Sequence, residues 1–110
     1  MLQQTHATHD VVTIKLVSGE EVIGYFVSST TNDIILRKPV VPVPTADGKV
    51  GLAPYIMSSD YLQTGSGELG FNQQAVITTT PTSQAFKDVY IAQVSGIDLS
   101  PKKPSGLILV

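Results

Sequence analysis

The chain has 110 residues, 42% apolar and 15% charged, which suits one globular domain with one modest core and excludes a disordered chain. It has no cysteine, which excludes disulfides, thiolate chemistry and zinc–sulfur sites, and no apolar run long enough to cross a bilayer. The low charged fraction points to a surface covered by a partner or by copies of the chain, and a net charge of −2 with one arginine, Arg37, leaves few cations for phosphate.

Residues 1–10 are polar and show no amphipathic period, so they are expected to form a flexible arm. The segment Met1-Leu2-Gln3-Gln4-Thr5-His6 lacks the basic and apolar regions of a signal peptide, which favours a cytoplasmic protein. A first strand is predicted over 11–17, with Val12, Ile14 and Leu16 on one face and Thr13 and Lys15 on the other. Ser18-Gly19 supplies the positive φ of a tight hairpin turn into a second strand over 20–28. Gly24 sits inside that strand, where glycine marks a bend or a close backbone approach.

Thr30-Thr31-Asn32-Asp33 is turn chemistry, and a third strand begins near Ile34. Its continuation through Val40, Val41 and Val43 carries Pro39, Pro42 and Pro44, so it must be an edge or an irregular extension. Asp47-Gly48 is the strongest hairpin signal and folds a fourth strand, 50–57, back on the third. Residues 58–73 read as a long loop, and the β-branched run 74–79 as a fifth strand. The period then becomes helical over 81–96, with Pro81 in the first turn, Thr80 or Thr82 as cap and Gly96 as the stop. Phe86, Val89, Tyr90, Gln93 and Val94 form its stripe. A tail over 97–110 ends in Leu107-Ile108-Leu109-Val110, an apolar run expected to tuck into the core or a neighbouring subunit.

Two motif-like patterns carry no chemistry. Gly65-Ser66-Gly67-Glu68-Leu69-Gly70 has dinucleotide-binding glycine spacing, but a strand follows it where that motif needs a helix N-terminus. His6 and His9 beside Asp10 read as ordinary residues of the arm rather than as metal ligands. No histidine is paired with a nucleophile or carboxylate in a catalytic pattern, so no enzyme, catalytic residue, cofactor or metal is expected.

Five short strands, the second bent at a glycine, resemble the Sm-like barrel: a mainly β fold, here a strongly bent five-stranded antiparallel barrel with a C-terminal helix. Residues 12–38 resemble the first Sm motif of the bacterial Hfq-type family without a gap, matching at Val12, Ile14, Leu16, Val17, Gly19, Gly24, Ser28, Ile34 and Leu36. Gln73-Gln74-Ala75-Val76-Ile77-Thr78-Thr79-Thr80-Pro81 sits where that family has its second motif, a Lys-His pair, Ala, a strand and Pro. Ser29-Thr30 replaces the family's aromatic–aspartate pair, and the short polar arm is not expected to supply the family's opening helix. This pattern is similar to divergent Sm-like proteins of large tailed phages, including cyanophages, which would place the protein in a host cytoplasm.

The resemblance implies a homo-oligomeric ring of five to seven copies, with strand four of one subunit pairing with strand five of the next. It implies single-stranded RNA as ligand, with Gln73 and Gln74 at the pore and Thr30 and Asn32 in the base-holding loop. Lys15, on the face opposite Ile14, is a further candidate, and Tyr25 offers either a stacking face or an interface residue. The alternative is an adaptor ring that docks another protein and has little RNA affinity, favoured by the negative charge and the lost base-binding residues. Neither reading involves a membrane.

Overall fold

The computed structural model describes residues 6, 7 and 9–99, with side chains through Val94. Six strands form one antiparallel sheet: β1 (Val11–Leu16), β2 (Glu21–Ser29), β3 (Asp33–Pro44), β4 (Val50–Pro54), β5 (Glu68–Asn72) and β6 (Val76–Pro81). A 3₁₀ turn, Gln73–Ala75, separates β5 from β6, and helix α1 spans Gln84–Leu99. The order across the sheet is β4-β3-β2-β1-β6, and β5 continues along the same strand β3. A mainly β, strongly bent antiparallel sheet with a C-terminal helix therefore holds. Among the described residues no helix is long and apolar enough to cross a membrane.

The bend has three local causes. Gly24 lets β2 press on β3, because a Cβ there would lie 3.2 Å from Leu36 Cβ, 3.2 Å from Pro39 Cα and 3.3 Å from the Arg37 carbonyl. Opposite it, two steps of β2 from Ile23 to Tyr25 face three of β3 from Val40 to Arg37, a bulge with its extra residue on β3. Lys38, inside that bulge, takes the left-handed φ of 52°, fixed by its N–H to Gly67 O (2.7 Å) and its Nζ to Leu62 O (3.1 Å). Three carbonyls at the bulge accept from tyrosine hydroxyls. Tyr90 Oη donates to those of Arg37 (3.1 Å) and Lys38 (2.8 Å), and Tyr61 Oη donates to that of Pro39. Burial pushes the Tyr90 phenol far above its ordinary pKa and raises that of Tyr61.

The single core expected from the sequence is instead one apolar cluster on each face of the sheet. Val12, Ile14, Leu16, Val22, Phe26, Ile34, Leu36 and Phe71 fill one side. Val11, Ile23, Val40 and Leu52 lie on the other side under Tyr61, Leu62, Tyr90 and Val94. Adjacent pairs such as Val11-Val12 and Val22-Ile23 are split between the two clusters, so this part of the sheet is covered on both faces.

Four boundaries depart from the sequence reading. The 58–73 loop contains β5, whose five residues pair with β3 from Arg37↔Glu68 to Asp33↔Asn72. Only 55–67 is irregular, and it is anchored by buried Tyr61 and Leu62. The fourth strand stops at Pro54, where that insertion begins. The fifth expected strand starts at Val76 rather than Gln74, because Asn72 Oδ1 accepts from Gln74 N (2.8 Å) and caps the 3₁₀ turn. The helix starts at Gln84 rather than Pro81, and runs past Gly96 to Leu99. Neither Thr80 nor Thr82 is its cap: Pro81 still pairs with Val12, Thr82 Oγ1 is bonded to Thr13 Oγ1 (2.8 Å), and Ser83 Oγ accepts from Phe86 N. Of the expected stripe, Tyr90 and Val94 are buried while Phe86 and Val89 face outward.

The prolines of β3 fall where the sequence allows them. Beyond Val40 the strand has β4 on one edge and no β2 partner on the other. At the end of that ribbon Gly48 has φ 83°, and Thr45 N donates to Lys49 O (2.9 Å). Bonds from the Thr45 hydroxyl and then the Lys49 N–H hold the exposed Asp47 carboxyl below its usual pKa.

Residues 1–5, 8 and 100–110 of the expected arm and tail lie outside the described residues. The end of the arm is tied to β2, with His9 N donating to Phe26 O (2.9 Å) and Phe26 N to Asp10 O (2.7 Å).

Candidate nucleic-acid interface

The turn between β2 and β3 is a hydroxyl-centred loop. Thr30 N donates to Asp33 O (2.8 Å), and Thr30 Oγ1 accepts from the N–H groups of Asn32 (3.2 Å) and Asp33 (3.1 Å). This Ser/Thr turn satisfies the backbone locally and leaves Thr31 and Asn32 in solvent.

The turn at Gln73–Ala75 is sewn to that loop. Gln73 N donates to Asn32 O (2.8 Å). Its side-chain Nε2 reaches Ser29 Oγ (3.0 Å), Thr30 O (3.1 Å) and Asp33 O (3.4 Å). Both Gln73 amide hydrogens are thus committed internally, while its Oε1 has no partner among the described residues. Gln74 is exposed, and only its backbone N–H is engaged, by the Asn72 cap. On the far side of the turn Ala75 O accepts from Val17 N (2.8 Å).

Three candidates, Gln73, Thr30 and Asn32, therefore share one hydrogen-bonded rim, and Gln74 lies beside them. Its groups are neutral amides and hydroxyls. Residues 28–33 and 72–75 contain no lysine or arginine, and Asp33 is their one ionisable residue. Such a rim can read base edges by donor and acceptor pairing. It contributes no cation for phosphate.

Lys15 and Tyr25 do not join the rim. Lys15 Nζ lies 3.6 Å from Glu21 Oε2 on the neighbouring strand, and its strand partner on the other side is Thr78. Tyr25 has the Arg37 guanidinium 4.7 Å above its ring, with Tyr90 edge-on at 5.2 Å and His9 at 6.4 Å. Arg37 Nη2 also reaches His9 Nδ1 (3.3 Å), so the one arginine of the chain is held away from the rim. His6 packs its ring 5.5 Å from that of Phe26. Among the described residues no three His, Asp or Glu side chains are gathered as metal ligands. Ser29 and Asp33 were not singled out from the sequence as site residues; only the fold brings Gln73 against their Oγ and carbonyl groups.

No family model and no curated protein matches this sequence. Among solved structures, a heptameric archaeal Sm protein is similar to the chain, with a TM-score of 0.46 and 17% identical residues over 69% of this chain and 90% of that one.

Proposed function

We propose that the chain forms a Sm-like homo-oligomeric ring whose cation-free rim binds single-stranded RNA through amide and hydroxyl groups. The observation that carries the reading is the Gln73 side chain. It ties the turn before β6 to the Thr30–Asp33 loop, so that the two segments matched to the family's ligand-holding positions form one surface. Support for assembly comes from the sheet: β4 and β5 on one side and β6 on the other have outer edges with no strand partner among the described residues. Unpaired edges are templates for strand addition, and head-to-tail addition of unlike edges closes into a ring.

The test is a titration of labelled oligo-U and oligo-A against the purified protein at about 0.01 M and about 0.15 M salt. Binding tighter than about 10⁻⁴ M, the weak end of non-specific affinity, supports the reading, and none at that level removes it. Gln74→Ala should weaken binding about tenfold, the order expected for a lost amide–base pair, with an unchanged unfolding midpoint.

A second reading, an adaptor ring that docks another protein, is favoured by one observation. The rim has no cation, and Asp33 adds a negative charge to it. An intact ring with no RNA affinity in that titration supports this alternative.

A further inference from the structure

Most of the exposed large apolar side chains of the described residues are not scattered; they gather at the two free ends of the sheet. Val50, Ile56 and Met57 lie on or just after β4, with Met57 67% exposed. Ile77 lies at the start of β6, 61% exposed, and Val17, just after β1, is 65% exposed. Both groups are presented by built structure.

Ile77 is the extra residue of a bulge, because the single step from Lys15 to Leu16 on β1 faces two steps from Thr78 to Val76 on β6. A bulge re-aims its side chain, and this one turns Ile77 out of the core. Val17 is fixed beside it by its N–H to Ala75 O. On the other edge the 55–67 insertion is pinned at several points. Tyr55 N donates to Tyr61 Oη (2.7 Å), Lys38 Nζ to Leu62 O (3.1 Å) and Lys38 N to Gly67 O (2.7 Å). Ile56 and Met57 are therefore held next to the last residue of β4.

We infer that Ile56–Met57 of one copy docks against Ile77 and Val17 of the next, a side-chain lock that the 55–67 insertion adds to edge pairing. The inference rests on the ring reading above. Every pairing in this sheet is antiparallel. Antiparallel addition of a second copy's β6 to β4 sets the C-terminal end of β4 against the N-terminal end of β6. Those are the ends that carry Ile56–Met57 and Ile77–Val17. A second copy is the fitting occupant because both edges offer unpaired backbone, which an extended strand satisfies. β6 also has no charged residue to repel it.

The test compares the full chain with Met57→Ser, Ile77→Ser and the double variant, with Val89→Ser on the exposed face of α1 as control. Sedimentation gives the concentration at which the assembly is half dissociated. Each substitution at the lock should raise it about tenfold, and the double variant should raise it by less than the product, because both remove the same contact. Val89→Ser should leave it unchanged. These side chains are exposed in the protomer, so the protomer's unfolding midpoint should not move.

A second measurement uses the absence of cysteine. A Met57→Cys/Ile77→Cys double variant treated with a short bifunctional maleimide should give a ladder of covalent multimers, where either single variant stops at dimers. A ring that keeps its midpoint in every variant and gives no ladder overturns the lock and leaves the ring reading standing. A wild-type chain that is monomeric at all concentrations overturns both.

Discussion

Two residues at the bend set the stability of this fold, by different means. Gly24 is needed for space: two of the three nearest atoms to an added Cβ, Pro39 Cα and the Arg37 carbonyl, belong to backbone that cannot swing away. Gly24→Ala should therefore destabilise by about 1–3 kcal/mol, the range of overpacking, read as a lower denaturant midpoint with unchanged slope. Tyr90 is needed for a hydroxyl. Tyr90→Phe keeps the ring but leaves the Arg37 and Lys38 carbonyls without their side-chain partner, at a cost of about 1–3 kcal/mol.

The same hydroxyl sets a pH dependence. Burial raises the folded-state pKa of Tyr90, and of Tyr61, above the ordinary tyrosine value of about 10. Between the two values the native state holds protons that the unfolded state releases. The stability these groups confer is complete below pH 10 and is lost as pH rises beyond it. Wild-type midpoints should be flat from pH 8 to about 10 and then fall. Tyr90→Phe should start lower and fall less steeply. A parallel fall in the two proteins would remove Tyr90 as the cause.

At the scale of elements, the sequence was legible where local chemistry decides and illegible where distant contacts do. The alternation of Val12, Ile14 and Leu16 and the Asp47-Gly48 turn each specify their conformation within a few residues, and the strand and the hairpin are both present. β5 reads as loop because Glu68-Leu69-Gly70-Phe71-Asn72 has turn composition, with only Leu69 and Phe71 to bury. It is a strand because β3 offers it an edge next to β4. Thr80-Pro81 has good capping chemistry, which predicts a helix start three residues before Gln84, but β1 pairs with residues as far as Pro81 and Thr82 N donates to Val11 O. The candidate site was partly legible: the resemblance implies Gln73, Thr30 and Asn32, but only the fold reveals that Gln73 joins them, its side-chain amide bonding Thr30 O and its backbone N–H bonding Asn32 O. The cap assignment makes its own prediction. Ser83→Ala should lower stability by about 0.5–2 kcal/mol, whereas Thr80→Ala, whose hydroxyl reaches only Pro81 O, should change it by less than about 0.5 kcal/mol.

For the whole molecule the governing quantity is charge, because the proposed ring would multiply it. Each copy brings −2, and the rim segments contain no lysine or arginine to offset it. RNA approaching such a ring meets long-range repulsion and gains little from counterion release, since few counterions leave its phosphates. Added salt screens the repulsion, with a Debye length of about 10 Å at 0.1 M, while hydrogen bonds at the rim are hardly touched. Affinity for a labelled oligonucleotide should therefore stay level or rise between about 0.01 and 0.15 M salt, opposite in sign to a basic RNA-binding surface. Titrations at three salt concentrations measure the slope. A fall with the steepness of several phosphate contacts, about −0.7 in log K per contact for single strands, would mean that lysines outside the rim make the interface. The Gln73–Thr30 surface would then not be where the strand lies.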